Sequence, residues 1–326
     1  MSSESSAPGV GLLGPAAARV AEAVRQTVIG QEAAAETLLA AYMAGGHALI
    51  EGVPGIAKTL LARAFSSGLG LKFSRVQFTP DLMPSDLVGT NVYDQMSGAF
   101  RLVRGPVFTE VLMADEINRT PPKTQSALLE SMQEGQVTID GVTYPLGPAF
   151  FVIATQNPVD FEGTYPLPEA QLDRFIARVE MGLPGRQAEI EIYRRAVAGT
   201  LAGWGSETAL ASAAVSQEEA LALRRASRRV HVAEELLEYV ATLAAAVRES
   251  DRVEIGVSPR GALALLEMAR AFALLAGRDF VAPDDVKRCL SPCWGHRMLL
   301  TADAELENET PARLLMQIAN AIAVPR

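Results

Sequence analysis

The run Gly52-Val-Pro-Gly-Ile-Ala-Lys58-Thr59 constrains this chain more than any other stretch. It nearly matches a phosphate-binding P-loop, which asks for glycine, four free positions and then Gly-Lys-Ser/Thr. Ala57 stands in place of the second glycine. Before the loop, His47-Ala-Leu-Ile50 is a short apolar run suited to a buried parallel strand. After it, Thr59-Leu-Leu-Ala-Arg-Ala-Phe65 has the content of a helix packed on a sheet. A strand feeding a glycine-rich turn and a helix start aims unpaired backbone N–H groups and the positive end of the helix dipole at one place, an anion site. Lys58 is then expected to reach the β- and γ-phosphates, and the Thr59 hydroxyl to ligate Mg²⁺. Gly52, Val53, Pro54, Gly55, Ile56, Ala57 and Leu60 form the rest of the cradle. Because a Cβ penalises left-handed backbone, Ala57 is expected to keep a negative φ.

Such a loop needs a parallel sheet behind it, and the chain has the size for one. Its 326 residues suggest about two domains. Hydrophobic residues make up 49% and charged residues 21%, ordinary for a globular protein with a substantial core. The net charge of −9 argues against nucleic-acid binding by overall charge. The two cysteines, Cys289 and Cys293, are too few for a disulfide framework and lack nearby partners for a zinc site. They read as small free thiols in a reducing compartment. Residues 1–14 are rich in Ser, Gly and Pro without a basic start or apolar core, and read as a disordered leader, not a signal peptide. No apolar run reaches membrane-spanning length, so the expectation is a soluble, cytoplasmic protein without membrane insertion.

Helical content is expected from about Ala16 to Val28 and again to about Gly45. From Ala48 to Glu180 apolar strand runs then alternate with helical stretches, the pattern of a doubly wound α/β core with a parallel sheet, so residues 15–185 read as one nucleotide-binding core. The expected strands lie near 48–50, 73–77, 111–114, 149–154 and 177–181. Two hairpins interrupt them, one turning at Ser97-Gly98 and the other at Asp140-Gly141, a strong two-residue turn signal. Between the hairpins, Thr120-Pro-Pro122 is expected to open a helix with Thr120 as its N-cap. Residues 186–210 read as a linker, with a Gly-rich connector at 199–206. Residues 211–326 read as an α-helical domain without strand signals, and Ser216-Gln-Glu-Glu219 is a capping box.

Two further strand ends carry chemistry. Val111-Leu-Met-Ala-Asp115-Glu116 is an apolar strand closing on two acids. Downstream of a P-loop, Asp115 is expected to hold Mg²⁺, and Glu116 to polarise the water that attacks the nucleotide. Ala154-Thr-Gln-Asn157 ends the next strand on an amide. Strands of such a sheet deliver their ends to one edge, so Asn157 is expected to orient that water or sense the γ-phosphate.

The order and wording of these motifs resemble the MoxR family of AAA+ ATPases. The resemblance rests on Ala114-Asp-Glu-Ile-Asn-Arg-Thr-Pro-Pro122, Gln136-Val-Thr-Ile-Asp-Gly141, Thr79-Pro-Asp-Leu-Met-Pro-Ser-Asp86 and Gly105-Pro-Val-Phe108. Ala154-Thr-Gln-Asn-Pro158, Leu167-Pro-Glu-Ala-Gln-Leu-Asp-Arg-Phe175 and Ser258-Pro-Arg260 match as well, so it runs from about residue 20 to 300. An alanine at the position of Ala57 also resembles many members.

The resemblance implies an AAA+ three-layer core with hairpin insertions and a helical lid, binding ATP and Mg²⁺. Arg174 resembles the arginine finger that reaches a neighbouring subunit's γ-phosphate, with Arg178 as the competing candidate. Arg260 resembles the lid arginine that senses its own subunit's nucleotide, and Ile29 and Gly30 the segment that packs on adenine. The implied assembly is a homo-oligomeric, hexameric ring whose hairpins face a protein client, with a von Willebrand A-domain protein as partner. Two other readings stay open: a nucleotide-gated scaffold with little turnover, and a nucleic-acid motor of the MCM kind. Hairpin tips bearing Asp94, Gln95, Ser97 and Asp140 count against the motor.

Overall fold

Side-chain alternation along three apolar strands decides where the core lies. In the computed structural model, which describes residues 10–157, 164–203 and 212–325, strands β1 (Ala48–Glu51), β2 (Phe73–Gln77), β5 (Val111–Asp115), β8 (Phe151–Gln156) and β9 (Ala177–Glu180) form one sheet in the order β2-β5-β8-β1-β9. Every pairing in it is parallel. Successive side chains of a strand point to opposite faces. Accordingly Ile50, Val111, Met113, Phe151 and Ile153 join one apolar cluster, while Leu49, Leu112, Ala114, Val152 and Ala154 join a second. A sheet covered on both faces needs the near-continuous apolar runs seen in the sequence.

Helices α1 (Val10–Thr27), α2 (Glu32–Met43) and α3 (Lys58–Gly68) cover the first face. There Phe151 packs edge-on to Tyr42, ring centroids 5.6 Å apart, and beside Phe65. Helix α1 starts at Val10 instead of near Ala16, inside the segment read as leader; residues 1–9 lie outside the described residues. The physical reason is tertiary. Gly14, with no side chain, lies where a Cβ would come 3.2 Å from the Cα of Gly277, so close packing stabilises a turn that Gly and Pro would otherwise weaken.

The second face is covered by α4 (Pro84–Val88) and α5 (Pro122–Glu134). Thr120 does not cap α5: its hydroxyl donates to the Thr79 carbonyl at 3.0 Å, and Pro121 takes the N-cap position. On this side stand the insertion hairpins, β3 (Gly89–Asp94) with β4 (Ala99–Arg104), and β6 (Gln136–Ile139) with β7 (Val142–Pro145). Asp140 and Gly141 both have positive φ, 49° and 80°, as a two-residue hairpin turn demands. The Asn91 amide donates to Asp140 Oδ2 at 2.8 Å and ties one hairpin to the other.

After the short α6 (Glu169–Leu172), the stretch read as linker contains a 12-residue helix, α7 (Arg186–Val197); residues 204–211 lie outside the described residues. The remaining helices are α8 (Gln217–Ser227), α9 (Glu234–Glu249), α10 (Pro259–Leu275), α11 (Pro283–Trp294), α12 (Ala302–Leu306) and α13 (Pro311–Ala321). The capping box before α8 is formed, with Ser216 and Glu219 exchanging side-chain and backbone bonds. Two short antiparallel strands, β10 (Val253–Ile255) and β11 (Leu299–Leu300), occur where none were expected. At three and two residues they are too short to show a period. Leu223, Leu265, Phe272 and Trp294 of these helices belong to the same cluster as the first face of the sheet. Both cysteines are buried free thiols within it.

Candidate active site

The C-terminal ends of β1, β5 and β8 open at one edge, where the strand order reverses around β1. Ligands of open α/β sheets bind at such an edge. A cavity of about 550 Å³ lies there. Pro54, Gly55, Ile56, Ala57, Lys58, Thr59 and Leu60 line one wall, and Asp115 and Glu116 another. Val28, Ile29, Leu183, Pro184 and Ile192 supply an apolar end.

The loop is held by steric necessity at its start. A Cβ on Gly52 would lie 2.3 Å from Ile56 Cδ1 and 2.6 Å from the Met181 carbonyl, so only glycine fits. Gly55 turns the chain at φ +84°. Ala57 also has positive φ, 69°, with ψ 28°, against the expectation of a negative value. It is the N-cap of α3, where this left-handed turn lets the Ala57 carbonyl accept from Leu61 N at 2.9 Å while the α3 amides open towards the cavity. The strain a Cβ adds, about 1–2 kcal/mol, is tolerated where the surrounding loop over-determines the backbone. Lys58 Nζ donates to the Gly52 carbonyl at 2.7 Å and to the Gln156 carbonyl at 3.4 Å, bridging the loop and the end of β8.

The acidic pair is fixed by residues that motif reading did not single out. Thr155, fully buried on β8, donates its hydroxyl to Asp115 Oδ1 at 2.6 Å and accepts from Glu116 N at 2.8 Å. Arg75 on β2 donates to Asp115 Oδ2 through Nε at 3.0 Å and Nη2 at 2.7 Å. Gln77, two residues on, donates to Glu116 Oε2 at 2.6 Å, and Arg119 pairs with the same oxygen at 3.3 Å. Glu116 itself turns at φ 58°, which ends the strand and sends its side chain back along the sheet edge. One signal for Arg75 and Gln77 was present: polar residues at alternate positions of an expected strand.

Not every expected residue meets the cavity. Asn157 is buried directly after β8, at the same sheet edge, but is not part of the lining. Ile29 lines it, whereas Gly30 (φ +75°) turns the chain beside it against Pro184 and Ala188. Gly52 and Val53 support the loop from outside the lining. Leu201, Ala202 and Gly203, from the expected connector, close one side of the cavity.

Arg260 stands away from the cavity, its Nε 3.8 Å from Asp173 Oδ2. Arg174 opens into a separate hollow of about 260 Å³ with Ser126, Glu130, Glu134 and Gln171. Among the described residues its guanidinium has no hydrogen bond or ion pair. Arg178, in contrast, pairs within its own chain with Glu180 at 2.9 Å and Glu51 at 3.5 Å.

Similarity to known proteins follows the same layout. The ATPase family associated with various cellular activities (AAA) matches residues 47–177, and an AAA lid domain matches residues 245–318. The uncharacterized protein YeaC of Bacillus subtilis is 41% identical over 96% of both chains. Chaperone MoxR1 of Mycobacterium tuberculosis is 39% identical, covering 93% of this chain and 81% of its own length. A solved structure from Cytophaga hutchinsonii, of a protein named as a candidate ATPase, superposes with a TM-score of 0.87 at 38% identity over 97% of each chain. On the loop, the acidic strand end, the sheet order and these relatives together, the chain belongs to the MoxR family of AAA+ ATPases.

Proposed function

We propose that this chain hydrolyses ATP to ADP and phosphate and uses the cycle to remodel or activate a protein client within a ring of identical subunits. The observation that carries the reading is the meeting of Lys58, Thr59, Asp115, Glu116 and Ile29, from separate parts of the chain, around one 550 Å³ cavity. The triphosphate lies along residues 54–60, where the first-turn amides of α3 and Lys58 offset its charge. The base packs among Val28, Ile29, Pro184 and Ile192. Thr59 and Asp115, a hydroxyl and a carboxylate facing the same cavity, suit Mg²⁺, which takes hard oxygen donors. Held by those two residues, Mg²⁺ would supply neutralisation of the charge that develops in phosphoryl transfer.

Glu116 takes a proton from the attacking water as its oxygen bonds to the γ-phosphorus and the bond to the bridging oxygen of ADP breaks. Asn157 orients the water. Arg174 reaches the γ-phosphate of the next subunit and Arg260 that of its own, after leaving Asp173. The unpaired state of Arg174 and the paired state of Arg178 support that choice of finger. A protein client is supported by the β3–β4 hairpin, where Met96 is 98% and Phe100 73% exposed beside Tyr93. A von Willebrand A-domain partner and a cytoplasmic setting complete the proposal.

Phosphate release by the purified chain tests the chemistry. Glu116→Gln is expected to lower turnover by about 10²–10⁴-fold while nucleotide binding persists, and Lys58→Ala to lose binding. A Glu116→Gln protein that keeps the wild-type rate would refute hydrolysis at this site. Specific activity is expected to fall on dilution, because the arginine acts between subunits. A rate independent of concentration in a strictly monomeric preparation contradicts that part.

A further inference from the structure

Arg297, just beyond α11, is not part of the cavity lining, and its side chain is only 4% exposed. Its Nε donates to Asp173 Oδ1 at 2.6 Å. Nη2 donates to the carbonyls of Asp173 at 3.1 Å and Phe175 at 2.7 Å, and Nη1 to that of Ile176 at 3.2 Å. Nη1 also donates to the Cys293 carbonyl in α11. The neighbouring His296 donates from Nε2 to the Phe175 carbonyl at 3.0 Å. Two consecutive residues of the helical region thus grip the strap 173–176, and Arg174 is the one residue in that strap whose head is left unpaired among the described residues.

The same cluster includes the start of α10. Trp294 Nε1 donates to the Gly261 carbonyl at 2.9 Å, and a Cβ on Gly261 would lie 3.1 Å from Arg297 Cδ. Arg260 faces Asp173 from there. A buried guanidinium is costly unless its donors are satisfied, and simple packing would be served by an apolar side chain. Here the planar fork spans one carboxylate and several carbonyls on two elements, a geometry that lysine cannot reproduce.

We propose that Arg297 is the positioning residue for Arg174: it fastens the strap to the end of α11, beside the start of α10, and so sets where Arg174 stands towards the next subunit's nucleotide. Any displacement of those helices is carried to Arg174. The inference rests on the hydrolase reading with Arg174 acting in trans.

Mixed assemblies test it. Arg297→Lys keeps the charge but loses the carbonyl bonds, and is expected to lower kcat about tenfold with nucleotide affinity of its own site within about twofold. Glu116→Gln subunits carry an intact strap but a silent site. Mixing them with Arg297→Lys subunits is expected to restore phosphate release several-fold above the sum of the separate proteins, because each Arg297→Lys site can now meet an undisturbed Arg174. Arg174→Ala mixed with Glu116→Gln is the reference pair. If the reference pair recovers and the Arg297→Lys pair does not, the assignment of Arg297 is overturned while the trans reading stands. If neither recovers, the trans reading falls and the assignment with it. Wild-type kcat in Arg297→Lys alone also overturns it. Should Arg297→Lys fail to fold, Asp173→Asn, which weakens one bond of the cluster, is expected to give the same pattern at smaller amplitude; its failure to recover beside a recovering reference pair overturns the assignment equally.

Discussion

Ala57 shows how a single backbone angle separates what a motif specifies from what it tolerates. At φ 69° the residue adopts a conformation that glycine enters freely, so the missing glycine of the motif is missed in energy but not in shape. Ala57→Gly is expected to stabilise the protein by about 0.5–1 kcal/mol, the relief of left-handed strain less glycine's added chain entropy. A raised thermal midpoint with unchanged nucleotide affinity checks this, and Ala57→Val is expected to move the midpoint the other way. Thr155→Val conserves shape but strands Asp115 Oδ1 and the Glu116 amide, a loss of about 1–3 kcal/mol by denaturant titration. The contrast between the two sites explains which residues could be read in advance. Lys58, Thr59, Asp115 and Glu116 sit beside apolar runs that announce their strands. Thr155 and Arg75 reach the same carboxylate only because β5 lies between β2 and β8, and strand order is not written locally.

Among the elements, those with a clear period or a capping signal were legible. The five sheet strands, the Asp140-Gly141 hairpin and the Ser216 capping box all follow from local chemistry. The exceptions have tertiary causes. α1 extends back to Val10 because Gly14 meets Gly277, a contact far apart in sequence. α7 lay hidden in a segment read as linker: it buries no residue fully, so it lacks the wide apolar stripe that marks a packed helix. Arg297 was unreadable for a related reason, since its acceptors are mostly backbone carbonyls, which leave no trace in residue type. Gly14→Val would force α1 away from Gly277, and is expected to cost about 1–3 kcal/mol as overpacking. A lowered thermal midpoint without loss of nucleotide affinity in the folded protein checks that the contact is structural.

For the whole molecule, two buried imidazoles contribute to the response to mild acid. Burial pushes His47 down to about 4 from 6.5. His296 falls to about 3, by burial first and the nearby Arg297 charge second. His47 is fixed as a neutral ring, accepting from Val152 N through Nδ1 and donating from Nε2 to the Met132 carbonyl, each at 3.0 Å. Since both folded values lie below 6.5, the unfolded chain binds protons that the folded chain refuses. Their contribution is complete above about pH 6.5 and is lost as pH falls, towards 4 for His47 and towards 3 for His296, by about 1.4 kcal/mol per pH unit for each ring. Thermal midpoints between pH 7 and 5 are expected to decline, and His47→Gln to flatten that slope; an unchanged slope contradicts the assignment. The apolar cluster that joins one face of the sheet to Leu223, Leu265, Phe272 and Trp294 has its own consequence. Nucleotide-binding layer and lid share one interior, so calorimetry should record a single cooperative melt, and a chimera that exchanges lids between relatives would have to exchange half a core with them.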